Sequence, residues 1–400
     1  MSSQVKSSQV NLCTSERLRS SCQKIFLLIF SATSILYFFR VFSDGISWID
    51  FPTQWRICVY TLRGIDIYPL RGSNNFLPDV GYIYAGLHAS PWGCLLQSIF
   101  YGGFLSFEMA KIYFLAANSV VLSVASYLLF EKTSCLKVRE YSLVLSLLSL
   151  NFFYSVHEGN CGGMICAFLV TAWLLRDDHP YISGMLIAFS MVKPQDALIV
   201  CILLLMMKRI KPLIVGAVID ISAWAAVSFL TDKGMFELLR EFLFMPSENV
   251  SKPFAGIFTL LFDDYLTAVA MSMIAGIIFV AVLHILLPKD MPEIFKIYPA
   301  FMAITFWCYS YSNDSYVLVL PSCLCLWLML HSGRKILWLL CALLCSLGLP
   351  AQGAVARIIT SVNGTLASGW YAKSLYELGI ILIGFLICIE LRRIYPETRQ

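Results

Sequence analysis

The stretch Met109–Phe130 reads MAKIYFLAANSVVLSVASYLLF, 22 residues whose only charge is Lys111. At 1.5 Å per residue it makes a helix of about 33 Å, against a hydrocarbon core of about 30 Å. Glu131, Lys132, Lys137 and Arg139 close it, the charged punctuation of a segment leaving lipid. Further apolar runs, many of them shorter, repeat along the chain, bounded by Lys and Arg. Over the 400 residues, 58% are hydrophobic, 14% are charged and the mean hydropathy is +0.75. A soluble domain carries about 25% charged residues, so the composition excludes a water-soluble enzyme.

Apolar runs predict an all-α, polytopic membrane protein. Spans are expected near 24–42, 109–130, 141–156, 161–175, 181–192, 196–207, 212–230, 265–287, 294–310, 316–331, 335–350 and 374–391, about 12 transmembrane helices in one domain over 24–391. Residues 1–23 and 392–400 are short polar tails. The first span follows a polar stretch and lacks a small-residue cleavage site after it, so it reads as a retained anchor. A net charge of +4 with no basic stripe argues against nucleic acid. The 14 cysteines include no CxxC pair with companion ligands, so no metal is expected.

Basic residues accumulate on the cytoplasmic side. Lys6, Arg17, Arg19 and Lys24 place the N-terminus inside, and the 131–139 loop must be inside as well. The outer loop 43–108 therefore carries no net crossing, and Pro91–Leu105, interrupted by Gly93, Gly102 and Gly103, is expected as an interfacial or re-entrant helix. Arg176, Lys208, Arg209, Lys211, Lys289, Lys296, Arg334, Lys335, Arg392 and Arg393 then all fall inside, with both termini cytoplasmic. The expected location is the plasma (inner) membrane, with the active site on the outer face.

Two spans are too short. Tyr181–Val192 and Asp196–Met207 have about 12 residues each, roughly 18 Å of helix, and must thin the bilayer or reach only partway across. Between them, Lys193-Pro194-Gln195-Asp196 brings a cation and a carboxylate near membrane depth. Lys193 reads either as a snorkelling lysine or as a cation for a phosphate, helped by helix N-terminal N–H groups.

The outer loop carries Asp44, Asp50, Arg56, Arg63 and Asp66. Residues 52–63 are expected as a short interfacial helix with Trp55, Val59 and Leu62 on one face. A carboxylate at the lip of a lipid-walled cleft suits proton abstraction from a hydroxyl, whereas the plainer reading is a solvated loop acid. His157-Glu158-Gly159-Asn160 reads as a polar turn between spans. A second polar turn runs Tyr309–Tyr316 and includes Asp314. Asn249-Val250-Ser251, Asn313-Asp314-Ser315 and Asn363-Gly364-Thr365 match the N-glycosylation pattern on the expected outer face. Asp220 sits inside a span, where a structural hydrogen bond is the plainer explanation.

These landmarks resemble, in order and spacing, the GT-C superfold membrane glycosyltransferases, most closely glycosyltransferase family 87. Ile49-Asp50-Phe51 followed by Leu62-Arg63-Gly64-Ile65-Asp66-Ile67-Tyr68 resembles the family's "DF … L-x-G-x-DPY" first loop, with Ile67 in place of Pro. His88-Ala89-Ser90-Pro91 resembles its "YPP" entry to a surface helix. Gly159-Asn160 resembles its "GQ-x-N" turn, with Gly162 or Gly163 at the second Asn position. Gly184 through Lys193-Pro194 resembles "G-x₈-KP", and Asn249-Val250-Ser251 its "N-x-S". The resemblance covers about residues 25–330.

The resemblance implies inverting transfer of a sugar, mannose above all, from a polyprenyl-phosphate donor to an acceptor hydroxyl of a glycolipid or glycan. Asp50 would be the general base, with Asp44 and Asp66 as alternatives. Lys193, Arg56 and Arg63 would hold the donor phosphate, and His88, His157, Asn160, Gln195, Asn249 and Asp314 would line the substrate site. No cofactor or metal is implied, because a phosphate leaving group in a basic cradle needs neither. Two other readings compete. A secondary transporter or lipid flippase would explain paired short segments, but no internal repeat relates the two halves and the charges gather at one face. A non-catalytic membrane subunit would lack a site beside Asp50.

Overall fold

The computed structural model describes residues 50–70, 75–83, 90–147, 150–244, 258, 261–262, 264–306, 312–348 and 368–395. Among them the chain is mostly helical, with no strand. The expected first span lies outside these residues.

The first loop folds into helix α1 (Phe51–Leu62), followed by α2 (Pro91–Leu96) and α3 (Ser98–Tyr101). Helix α4 (Phe107–Lys132) is the deciding apolar stretch of the sequence. Then come α5 (Arg139–Leu147), α6 (Leu150–Glu158), α7 (Gly162–Leu175), α8 (Pro180–Ser190), α9 (Pro194–Met206), α10 (Ile210–Thr231) and α11 (Met235–Phe244). The last part holds α12 (Tyr265–Leu286), α13 (Tyr298–Ala303), α14 (Val319–His331), α15 (Lys335–Gly348) and α16 (Ser368–Ile394).

Burial sorts these helices into centre and periphery. Helix α7 is buried from Gly162 to Leu174, and α13 and α14 are buried almost throughout. Helices α4, α10, α12 and α16 are long and apolar enough to cross a membrane. They turn large apolar side chains outward, among them Ile112, Val120, Ile214, Val218, Ile278 and Leu382. Such rows would be an aggregation surface in water and are the ordinary lipid face of a spanning helix. The chain is a membrane protein.

These four helices coincide with four of the twelve expected spans. The others that fall within the described residues are shorter. Helices α7, α8, α9 and α15 are apolar but have 14, 11, 13 and 14 residues. The 141–156 region supplies α5 and α6, each of nine residues, and 294–310 supplies only the six residues of α13. Twelve full crossings is therefore a larger number than the helix lengths support.

Pro91–Leu105 takes the expected form of a short, non-crossing segment. Ser90 caps α2, its Oγ accepting from the Gly93 N–H at 3.1 Å, and Pro91 occupies the first helical position, where its missing N–H costs nothing. Gly102, at φ +62°, stops α3 in a left-handed turn.

Helix α1 differs from the expected surface helix. Trp55 and Val59 are buried, but so are Phe51, Ile57, Cys58 and Tyr60, while Leu62 is exposed. Residues 75–83 and 90–103 cover its other sides. Arg56 donates from Nε to the Val80 carbonyl and from a terminal nitrogen to the Tyr82 carbonyl, and Tyr60 Oη accepts from the Leu77 N–H at 2.8 Å. The helix is a small core element because the loop folds back over it, a long-range event that residue periodicity does not report.

Helices α8 and α10 run parallel and nearly touch. A Cβ on Gly184 would stand 2.5 Å from Val215 Cβ and 2.6 Å from the Pro212 carbonyl, and one on Gly216 would meet the Gly184 carbonyl at 3.2 Å. Small residues permit this approach where lipid supplies no hydrophobic drive between helices. Replacing Gly184 with Leu forces backbone apart, a cost of about 1–3 kcal/mol or more. The expected outcome is a Tm in detergent several degrees below wild type for Gly184→Leu, read by a thermal melt; an unchanged melt would refute this packing.

Candidate active site

One end of the helix bundle gathers polar groups from four segments. Asp50 caps α1, and its N–H donates to the Glu158 carbonyl at 2.9 Å. Its Oδ2 accepts from Asn160 Nδ2 at 2.7 Å. Asn160 is buried and is itself fixed, because its Oδ1 accepts from the Gly162 N–H at 2.7 Å at the start of α7. Ser155 Oγ donates to the Asn160 carbonyl and accepts from the Gly163 N–H, both at 2.8 Å. A Cβ at Gly163 would lie 3.1 Å from Ser155 Cβ, so this position has little room for a larger residue.

Apolar packing sets the position of Asp50 from the other side. The neighbouring Phe51 ring meets Tyr101, Phe107 and Phe114 at centroid distances of 5.7, 5.7 and 5.4 Å. Tyr101 stacks on Phe114 at 5.0 Å and donates to the Gly159 carbonyl at 3.2 Å. Gly159 has φ +69°, and a Cβ there would stand 2.5 Å from Phe51 Cβ. Both the left-handed backbone and the close approach require glycine. The two halves of the turn, Gly159 and Asn160, thus seat the ring and the carboxylate of consecutive residues.

Lys193 belongs to the same end. Ser190 Oγ lies 3.4 Å from the Ile165 carbonyl, which ties the end of α8 to the first turn of α7. The Met191 carbonyl accepts from Trp92 Nε1 at 2.7 Å, and a Cβ on Gly93 would touch the Val192 backbone. Lys193 then caps α9 ahead of Pro194, which fits the first helical position, and Gln195 follows it. The two short helices therefore meet under α2.

The site is recessed. Phe51 reaches Phe114, seven residues and about 10 Å into α4. On the other side, Trp92 packs on Trp224 at 6.0 Å, seven residues or about 10 Å before the end of α10. The polar cluster consequently lies below the ends of the long helices. At the opposite end an ion-pair belt joins Lys132 with Asp178, Arg176 with Asp177 and Glu293, and Arg209 with Asp177.

Other expected site residues lie elsewhere. Arg56 is directed at carbonyls of the covering loop, and Arg63 pairs with Asp79 at 2.8 Å in an exposed bridge. Asp66 accepts from the Tyr68 N–H at 3.0 Å and pairs with Lys233, which also bonds Glu241 at 2.5 Å. Burial alone would lower the Lys233 pKa, but the two carboxylates outweigh it and push it up. His157 is in the last turn of α6, its ring 6.5 Å from Tyr154. Asp314 lies in the 3-10 segment Ser312–Leu318, whose Tyr316 packs on Phe152 at 5.3 Å. Asp44, His88 and Asn249 lie outside the described residues.

Glu158 is the residue that sequence reasoning passed over as part of a polar turn. Burial raises its pKa, a hydrogen bond to Tyr154 opposes this, and the Asp50 charge raises it further. The signal was its place two residues from Asn160, one helical end from a glycine in the left-handed region. Trp92 and Lys233 were also missed, since their partners lie far away in sequence.

The family model for glycosyltransferase family 87 matches residues 90–296. The chain belongs to glycosyltransferase family 87. No curated protein and no solved structure matches it. The match begins at the Ser90 cap of α2 and includes the Gly159-Asn160 turn and the Lys193-Pro194 turn. Family 87 membership implies glycosyltransferase activity, which sets aside both the transporter and the non-catalytic readings. As a membrane glycosyltransferase, the protein has a sugar donor, an acceptor and lipids as its partners.

The raised Glu158 pKa makes a sign-determined prediction. A carboxyl whose pKa is higher in the fold contributes stability below its unfolded value, about 4.3, and loses that contribution as pH rises through the folded value. Glu158→Gln keeps a neutral side chain throughout. The Tm of wild type is therefore expected to fall relative to Glu158→Gln as pH rises from about 4 to 7, and parallel pH profiles would exclude the effect.

Proposed function

We propose that the protein transfers a sugar, mannose above all, from a polyprenyl-phosphate donor to an acceptor hydroxyl on the extracytoplasmic face, with inversion at the anomeric carbon. The observation that carries this reading is the Asp50–Asn160 hydrogen bond of 2.7 Å in a recess walled by apolar helices. An aspartate held on one oxygen by an amide is oriented and remains a base. It takes the proton from the acceptor hydroxyl while that oxygen bonds to the anomeric carbon. The bond from that carbon to the phosphate oxygen breaks, and its electron pair leaves with the polyprenyl phosphate.

Lys193 supplies the balancing charge. It sits at the N-terminus of a 13-residue helix, where the dipole also favours an anion. A cation and helix N–H groups at membrane depth stabilise a phosphate dianion more than they would in water. Arg56 and Arg63, bonded to loop carbonyls and Asp79, act in this reading by holding the loop. Asp66, paired with Lys233, is a weaker base candidate than Asp50 for the same reason. Asn160 and Gln195 remain beside the site as sugar ligands, with His157 on the adjoining helical turn. The basic ends of the other face support cytoplasmic termini.

The test is transfer from radiolabelled polyprenyl-phosphate-mannose to lipid acceptors. Asp50→Asn keeps the side-chain shape and the site for Asn160, so it is expected to stay folded and to lose about 10²–10⁴-fold in kcat. Equal transfer by mutant and wild type would remove Asp50 from the reaction. In the same assay Lys193→Met is expected to lower kcat/KM by about 10²-fold, since it removes one charge-stabilising donor. A loss confined to thermal stability would instead make Lys193 a structural cap.

A further inference from the structure

The backbone fixes Lys233 before its side chain reaches anything. Asp232, at φ +51°, turns the chain out of α10. The Lys233 N–H donates to the Ser228 carbonyl at 3.1 Å, and Ser228 Oγ donates to the Lys233 carbonyl. The ammonium then meets carboxylates from two directions. Asp66 of the first loop pairs with it on one side; Glu241 at 2.5 Å and Glu237 at 3.7 Å, both on α11, lie on the other. The side chains of Lys233, Asp66 and Glu241 are 21%, 12% and 23% exposed, so salt screens these charges less than it would a surface pair.

Each direction leads to one part of the site. A Cβ on Gly64 would stand 2.5 Å from the Leu230 carbonyl, so the loop backbone just before Asp66 lies on the last turn of α10. The Gly64 and Ile65 N–H groups donate to the Thr61 and Tyr60 carbonyls, both at 3.0 Å. These bonds join the loop to the end of α1, the helix that Asp50 caps. In the other direction, Glu241 precedes Phe242, whose ring lies 6.1 Å from Trp92. Trp92 Nε1 donates to the Met191 carbonyl at 2.7 Å, two residues before Lys193. One ammonium therefore stands between the helix of the proposed base and the turn of the proposed phosphate cation.

Resting on the proposed transfer reaction, we infer that Lys233 is a positioning residue that couples these two charges. It sets Asp50 through Asp66 and α1, and Lys193 through Glu241, α11 and Trp92. Its ammonium is committed to carboxylates and reaches no reacting atom. Separate ion pairs would hold the two arms independently. With a single cation bonded to both, its loss leaves like charges facing each other and releases both arms at once. A displacement of about 1 Å at a reacting group costs about 10²-fold in rate, so the coupling acts on catalysis even where the fold persists.

Amide hydrogen exchange tests the coupling without turnover. Lys233→Met is expected to speed exchange about tenfold in residues 64–68 and in residues 92–96 together, with α7 unchanged. Asp66→Asn is expected to do so in 64–68 alone, and Glu241→Gln in 92–96 alone. Faster exchange in only one segment of Lys233→Met, in neither, or throughout with α7 included overturns the coupling.

Kinetics read the same division in transfer from radiolabelled polyprenyl-phosphate-mannose. Asp66→Asn is expected to lower kcat about tenfold with donor KM held within about twofold, and Glu241→Gln to raise donor KM about tenfold. Lys233→Met should show both effects, and Lys233→Arg should restore both. A fall in kcat alone in all three variants, the pattern of lost active protein, overturns the positioning role. If wild type transfers from no such donor, the proposed reaction fails, and hydrogen exchange still decides whether Lys233 couples the two arms.

Discussion

The hydrogen bond from Asn160 to Asp50 joins parts of the chain 110 residues apart and determines what the rest of the site can be. Asn160 uses both ends of its amide, one on the carboxylate and one on the first N–H of α7. The orientation of α7 and that of Asp50 are therefore one variable. A hydrogen bond to an ionised group contributes about 1.5–3 kcal/mol net, and more is lost when a buried partner is left unsatisfied. Helix α7 lies at the centre of the bundle, so its axis is not free to follow the loop. The loop must follow the helix.

That constraint explains the short helices. A polar site within membrane depth needs backbone ends, because an unbroken spanning helix has no spare N–H or C=O to offer. Helices α6, α7, α8 and α9 all begin or end at the site, and each is too short to span. The long helices α4, α10, α12 and α16 carry the lipid-facing surface instead. The division of labour is visible in burial: Met164 to Leu174 are covered by protein, whereas Ile214, Val218 and Ile221 are not. Non-helical backbone at such a depth is tolerable only where protein encloses it. Helices α1, α2 and α3 provide that enclosure.

Much of this was legible in residue order. Hydropathy located α4, α10, α12 and α16, because a run of some 20 apolar residues has few alternatives. Lysine and proline at 193–194 marked the meeting of two short helices, since proline both ends one helix and starts the next. Gly102 and Gly103 marked a segment that does not cross. The burial of α1 was not legible: its sequence has an apolar face of the kind that lies on a membrane, and residues 75–83 and 90–103 folding over it change that. Lys233 was equally hidden. Nothing near it in sequence points to Asp66, and an ion pair that joins a loop to the far end of α10 leaves no periodic trace.

The choice between Asp50 and Asp66, the two loop aspartates among the described residues, then turns on what each carboxylate is already bonded to. Asp66 has a backbone N–H on one oxygen and the Lys233 ammonium on the other, and that ammonium is shared with Glu241. A base so engaged must surrender an ion pair before it can take a proton, and its natural role is to hold the loop against α10. Asp50 is bound by a neutral amide, which orients the carboxylate without neutralising it. It also has Glu158 beside it, an acid whose pKa is raised partly by the Asp50 charge. The amide bond from Asn160 and the ion pair at Asp66 together favour Asp50 as the base of the proposed transfer.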